Sequence, residues 1–298
     1  MLLAIVALGC ATASIARAAF PGTNGKIAFA ANNEYFCDDI DRGLAAAIYT
    51  FTPGAAPTTI DVHHPVLRHA GDPDWSPSGK RIAGARYEPV FGHSSQGYDS
   101  RGVFTAKANG SSRTPITSEG FQPAWSPNRR RFAFHDSLNR LRTIKLDGTD
   151  SRLLDSHNTD GVDWSSRNKL AYVRWRLGPH GAFKIFTSNP DGTGRHFVVR
   201  GDQPDWSPNG RRLVFQTDAE QIAVIKPDGT GLHVIRSNGF HPVWSPDATQ
   251  IAFTTGYNTG DVYVMDANGT GAHQVAQLTA NSCGTVGTVA GLAWQRTP

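Results

Sequence analysis

One tryptophan recurs along this chain in a nearly fixed frame. It appears in GDPDWSPSGKRIAGA, FQPAWSPNRRRFAF, GDQPDWSPNGRRLVF and FHPVWSPDATQIAF, and more loosely as VDWSSRNKLAYVR. The marked positions are Trp75, Trp125, Trp164, Trp206 and Trp244, and a sixth, Trp294, closes the series in GLAWQR. Successive tryptophans stand 50, 39, 42, 38 and 50 residues apart, a period near 44 that fits a propeller blade rather than a helical repeat. After each of the first five comes a polar turn and an alternating run: RIAGAR, RFAFHD, KLAYVR, RLVFQT and QIAFTT. Apolar residues at every second position describe a strand with one face buried.

A second run ending in a turn follows each of these, as in LRTIKLDG, KIFTSNPDG, QIAVIKPDG and VYVMDANG. Asn-Gly and Asp-Gly between strands mark hairpins, because the turn needs the positive φ that these residues tolerate. The expected fourth strands are TTIDV, RTPIT, SRLLD, RHFVV, LHVIR and HQVAQL. Two segments are left over: KIAFAA at Lys26–Ala31 has no tryptophan before it, and GLAWQR has no run after it. Each supplies what the other lacks. The expected fold is therefore all-β, a six-bladed β-propeller closed by pairing of the C-terminal strand with the N-terminal blade. The six tryptophans are expected to be core, packed between blades.

The P-x-W-S-P-x-G-x-x-I-A-F run with a downstream I-Y-V-M-D-x-x-G resembles the WD40-like (PD40) repeat of the TolB-type six-bladed propellers. The resemblance extends over nearly all of the chain after residue 19. It implies an exported scaffold of the bacterial envelope that binds a protein or peptide. The N-terminal α/β domain of TolB is expected to be absent, since the first strand begins almost at the expected cleavage site.

Residues 1–18 read as a signal peptide and 19–298 as the propeller. Met1–Ala19 is apolar and ends in Ala16-Arg17-Ala18, a small-x-small cleavage pattern, although no basic residue precedes the apolar stretch. Cys10 makes lipidation the lesser reading, because Ala7 stands where a lipoprotein signal carries Leu. The expected location is periplasmic or extracellular, with no membrane-spanning segment after signal removal. Cys37 and Cys283 are expected to fall on the same face of the closing blade and to form a disulfide. By chain entropy such a bridge contributes roughly 5 kcal/mol.

A net charge of +4 from 29 basic and 25 acidic residues is scattered, with Arg129–Arg131 the one compact basic run. Nucleic-acid binding calls for a clustered stripe with interleaved aromatics, so no nucleic-acid partner is expected. A monomer is expected.

The longest connections, Asn32–Ala46, His63–Asp72, Tyr87–Arg101, Trp175–Ala182 and Ala280–Ala290, fall on one face, which is the candidate binding face. His63, His64, His69, His93, His157, His180 and His241 map near it, with Trp175 and with Asp72, Asp99 and Asp160. These histidines are spread over several blades with no recurring ligand spacing, so neither metal nor cofactor is assigned. Residues just before the tryptophans include Asp74, Asp163 and Asp205, which alternate to the opposite side of the strand from the indole. They face either the channel mouth or local hydrogen-bond donors, the second being preferred.

No G-x-S-x-G elbow, HExxH, glycine-rich phosphate loop or CxxC occurs, and no catalytic residue is assigned. The Asp-Gly-Thr copies lack the alternating acidic ligands of a calcium loop and read as turns. A metal-assisted lyase or hydrolase acting on extracellular carbohydrate is the alternative function, and a detached gating propeller of a peptidase-like system a third.

Overall fold

The computed structural model describes residues 20–32, 47–54, 56, 58–60, 67–68, 70–90, 97–176, 183–256, 259–278 and 288–297. These form a β-propeller of six sheets, antiparallel except for one added strand. Blade one combines Thr288–Thr297, Thr23–Asn32, Ala47–Phe51 and Leu67–Arg68, so the two ends of the chain share a sheet. Ile27 stands opposite Trp294 and Ala28 opposite Ala293 in that pairing. Blades two to six begin with the innermost strands Ala70–Trp75, Phe121–Trp125, Thr159–Trp164, Asp202–Trp206 and Phe240–Trp244. Each innermost strand touches the next, and the last touches Thr288–Thr297, which completes a ring.

Every tryptophan of the repeat is buried against the preceding blade. Trp75 packs with Ala28 and Ile48 of blade one, Trp206 with Val173 and Ile185 of blade four, and Trp294 with Ala252 and Val264 of blade six. The serine after each of the first five is buried too, and Ser76, Ser126, Ser207 and Ser245 each accept the main-chain N–H five residues on. That bond shapes the first hairpin. Its fourth residue after the tryptophan is left-handed in all five turns: Gly79, Arg129, Asn168, Gly210 and Ala248 have φ between 59° and 66°.

The second hairpins close on an Asx pattern. Asp147, Asp191, Asp228 and Asn268 each accept both the N–H and the hydroxyl of the threonine two residues later. These bonds hold the Asp147, Asp191 and Asp228 carboxyls below their ordinary range. At Gly269 a Cβ would lie 2.0 Å from the carbonyl oxygen of Ile235 in the preceding blade, so this turn nests where only glycine fits.

Two segments differ from the sequence expectation. Thr58–Ile60 does not form the fourth strand of blade one; it runs parallel to Ala276–Leu278 as a fifth strand on the outer edge of blade six. The fourth strand of blade one is Leu67–Arg68. The physical reason lies in FTPGAAP, which has no Asx-Gly-Thr turn and carries two prolines, so the chain travels outward instead of folding back. Residues 87–90 and 97–101, expected within a loop, continue the ladder: Tyr87 pairs with Ser100 and Val90 with Gly97. Blade two therefore projects a long hairpin, Arg81–Val90 and Gly97–Lys107, from the candidate face.

Candidate functional site in the channel wall

The innermost strand of a blade is a sheet edge, and its outward N–H groups need partners. Side chains of the preceding blade supply them. Asp74 Oδ2 accepts the N–H of Trp125 at 2.7 Å, Asp163 Oδ2 that of Trp206 at 2.6 Å, and Asp205 Oδ2 that of Trp244 at 2.7 Å. A second tier lies three residues before each tryptophan. Asp72 accepts the N–H of Gln122, Gln122 Oε1 that of Gly161, and Gln203 Oε1 that of His241 at 2.7 Å. Between blades two and six, every boundary has at least one such bond.

The second tier depends on a bulge. Asp72, Gln122, Gly161, Gln203, His241 and Gly291 all have φ between 50° and 63°. The next residue is proline in four blades, Pro73, Pro123, Pro204 and Pro242, and proline fits a bulge because it has no N–H to pair. Asp74, Asp163 and Asp205 thus serve the neighbouring blade rather than the loop entering their own strand, except that Asp163 Oδ1 also accepts the N–H of Trp164.

These side chains place carboxylates close together. Burial and the negative charge of Asp163 push Asp205 well above the ordinary carboxylate range. Its Oδ1 is buried without a hydrogen-bond partner. Asp160 and Asp202, four residues before their tryptophans, are half-buried. Desolvation, with the charge of Asp202, raises Asp160 to about 8; desolvation raises Asp202 to about 6. The other charges acting on Asp160 are carboxylates, Asp202 and Asp72. Burial lowers His241 to about 4, so it is a neutral ring whose Nδ1 is 3.1 Å from Thr254 Oγ1.

The candidate residues therefore divide. Asp72, Asp74, Asp163, Asp205 and His241 gather in the channel wall, all at most 2% exposed. His157 sits apart on blade three, with Nδ1 2.9 Å from Asp155 Oδ1. Burial works to raise Asp155, but Arg174, His157 and Tyr172 hold it at about 2. Trp175 is half-buried after blade four's second strand and its main-chain N–H donates to Asn158 O. His63, His64, His69, His93, His180, Cys37 and Cys283 lie outside the described residues, as does the side chain of Asp99. Among the described residues no three His, Cys, Asp or Glu side chains converge to hold a metal, and no helix is long and apolar enough to cross a membrane.

Sequence reasoning missed Gln122, Gln203 and Asp202. The available signal was the spacing itself: residues three and one before the tryptophan are two apart and share a strand face, and the proline between them marks the break in regular pairing.

No family model matches the chain. The Tol-Pal system protein TolB of Anaeromyxobacter dehalogenans is 27% identical over 150 residues, 45% of this chain and 34% of the relative. The crystal structure of TolB from Acinetobacter baumannii superposes with a TM-score of 0.66 at 15% identity, covering 92% of this chain and 67% of that one. This chain resembles TolB. A second neighbour, putative TolB from Agrobacterium tumefaciens, gives a TM-score of 0.56 at 16% identity over 92% of this chain and 99% of its own. At these identities the structural likeness carries the fold. The TolB-like chain spans about a third of the length of the curated relatives it matches.

Proposed function

We propose that this TolB-like propeller is an exported binding module of the bacterial envelope, working in or beside a Tol-Pal system, that docks a protein or peptide at the face carrying the long connections. The observation that carries this reading is the carboxylate pair Asp160 and Asp202. Both are half-buried on adjacent innermost strands, and the charges raising Asp160 are negative. Near neutral pH the pair holds a proton, and a basic side chain of a partner entering there displaces it and pairs with both carboxylates, a stabilisation of the charged pair that only binding supplies. The projecting hairpin of blade two adds a wall on the same face, and Tyr87 at its base donates to Asp72 at 2.5 Å.

Capture from envelope extract tests the proposal, with the intact chain compared against two variants: the hairpin shortened between Glu88 and Asp99, and Asp160→Asn with Asp202→Asn. Loss of the same captured protein in both is expected. Unchanged capture by both would overturn the assignment of this face. The proposed Cys37–Cys283 bridge is tested separately by counting reactive thiols in unfolded, non-reduced protein, where two free thiols in the mature chain refute it.

A further inference from the structure

Blade six shows that the outer edge of a blade in this molecule can accept an additional strand. Thr58–Ile60 pairs there in parallel, with Thr58 opposite Ala276 and Ile60 opposite Leu278. Blade five ends on the strand His233–Arg236, whose other edge has no strand beside it among the described residues. Next to it, toward the turn of blade six, lies a cleft of about 540 Å³. Its floor is apolar, from Val224, Ile225, Ile235 and Ala267, and its charged lining is basic, Arg212 and Lys226, with the His233 imidazole beside them.

The cleft has a cause in the sequence. Blade four has Asp191-Gly-Thr-Gly-Arg195, and the Arg195 side chain fills the corresponding space beside blade three, with Nη2 donating to Leu154 O at 3.0 Å and Nε to Tyr172 OH at 2.8 Å. Blade six has Asn268-Gly-Thr-Gly-Ala272, so an exposed alanine stands where that arginine does. The matching cleft between blades two and three is smaller, about 390 Å³, and is lined by both Glu119 and Arg142, so its charge is compensated. Between blades five and six no carboxylate lines the cleft; the carboxylate of Asp228, in the turn after Lys226, acts on that lysine from outside the lining, and Arg212 is the second cation.

We infer that this cleft takes an extended acidic segment of a partner protein, added as a parallel strand along His233–Arg236 with an apolar side chain in the floor and carboxylates against Arg212 and Lys226. This goes beyond the function proposed above, since it uses the outer rim and not the long-connection face. Main-chain hydrogen bonds give such a strand its affinity, and the pocket with its charges gives selectivity. The chain's own added segment shows the sequence type, Thr58-Thr-Ile-Asp-Val62, β-branched residues with a carboxylate after the paired stretch.

The probe is a labelled peptide, TTIDV flanked by two added aspartates, with a counterpart carrying lysine at all three acidic positions. Binding is read by fluorescence anisotropy on the full chain, and the site by amide exchange. The acidic peptide is expected to bind at least tenfold more tightly than the lysine peptide and to slow exchange at His233–Arg236. Arg212→Glu with Lys226→Glu, and separately Ala272→Arg, are each expected to weaken it at least tenfold while the thermal midpoint holds. All three substituted positions are exposed, so folding is preserved in at least one variant. Equal binding of the two peptides, binding of neither, binding untouched by both variants, or protection only at Ala276–Leu278 would each overturn the inference.

Discussion

The main-chain N–H of Trp206 donates to Asp163 Oδ2 at 2.6 Å across the boundary between blades four and five. The other oxygen of the same carboxylate accepts Trp164 N–H at 2.6 Å, so one buried side chain satisfies the innermost strands of two blades. Asp163→Ala strands two buried donors and is expected to cost ~2–4 kcal/mol. Asp163→Asn also costs stability, because its amide places a donor against a donor. Asp205 makes the contrast: its Oδ1 has no partner and its carboxyl is raised toward the neutral form, so Asp205→Asn is expected to change stability by less than ~1 kcal/mol. Urea unfolding of the three variants at neutral pH checks the ordering.

Ala248 holds φ at 62° in the first hairpin of blade six, and the indole Nε1 of Trp244 beside it is buried without a partner. Blade four solves both problems with Asn168, whose φ is 60° and whose Oδ1 accepts Trp164 Nε1 at 3.0 Å. Ala248→Asn is therefore expected to stabilise the protein by ~1 kcal/mol, since asparagine visits the left-handed region more readily and brings the missing acceptor. The midpoint of thermal unfolding should rise, and Trp244→Phe in the same background should remove part of the gain.

The repeat made the ring, its closure and the packing of the tryptophans legible, because period-2 alternation and Asx-Gly turns are local signals that agree with the tertiary arrangement. Ile27 opposite Trp294 follows from two incomplete repeat units and nothing else. The fifth strand of blade six was not legible, since TTIDV alternates equally well wherever it pairs and its partner is more than 200 residues away. The channel wall was half legible. The acidic residues before the tryptophans are visible in the sequence, but their partners are main-chain groups of the next blade, which composition does not mark. The tier at Asp72, Gln122 and Gln203 depends on left-handed φ at residues that do not advertise it.

Asp160 binds its proton more tightly in the folded chain than an ordinary carboxyl does, at about 8 against 3.8. Between those values the folded state holds more protons than the unfolded chain, so stability falls as pH rises, by up to ~1.4 kcal/mol per pH unit for each proton. Asp160→Asn is expected to raise the urea midpoint at pH 8 and to leave it nearly unchanged at pH 4. His241 acts from the other side: its pKa of about 4, against 6.5, means that stability declines as pH drops below 6.5. Removing the imidazole with His241→Gln should flatten that acid limb alone.

Gly79 carries the seam between the C-terminal strand and blade two. Its φ is 66°, and a Cβ there would lie 1.8 Å from the carbonyl oxygen of Arg296. Gln295 Nε2 donates to Gly79 O at 2.7 Å and Arg296 Nη1 to Pro77 O at 3.1 Å, so this turn ties the closing strand to blade two, beside its pairing with Thr23–Asn32. Gly79→Ala adds a left-handed alanine and a main-chain clash together, an expected loss of at least ~2 kcal/mol. Because the clash falls on the last strand, opening should begin there: proteolysis of the variant is expected to release the C-terminal segment before the inner blades are cut. Ala248→Gly, the reverse exchange at the corresponding turn of blade six, should raise the unfolding midpoint. Equal and small effects of the two exchanges would show that the Gly79 turn does not secure the C-terminal strand.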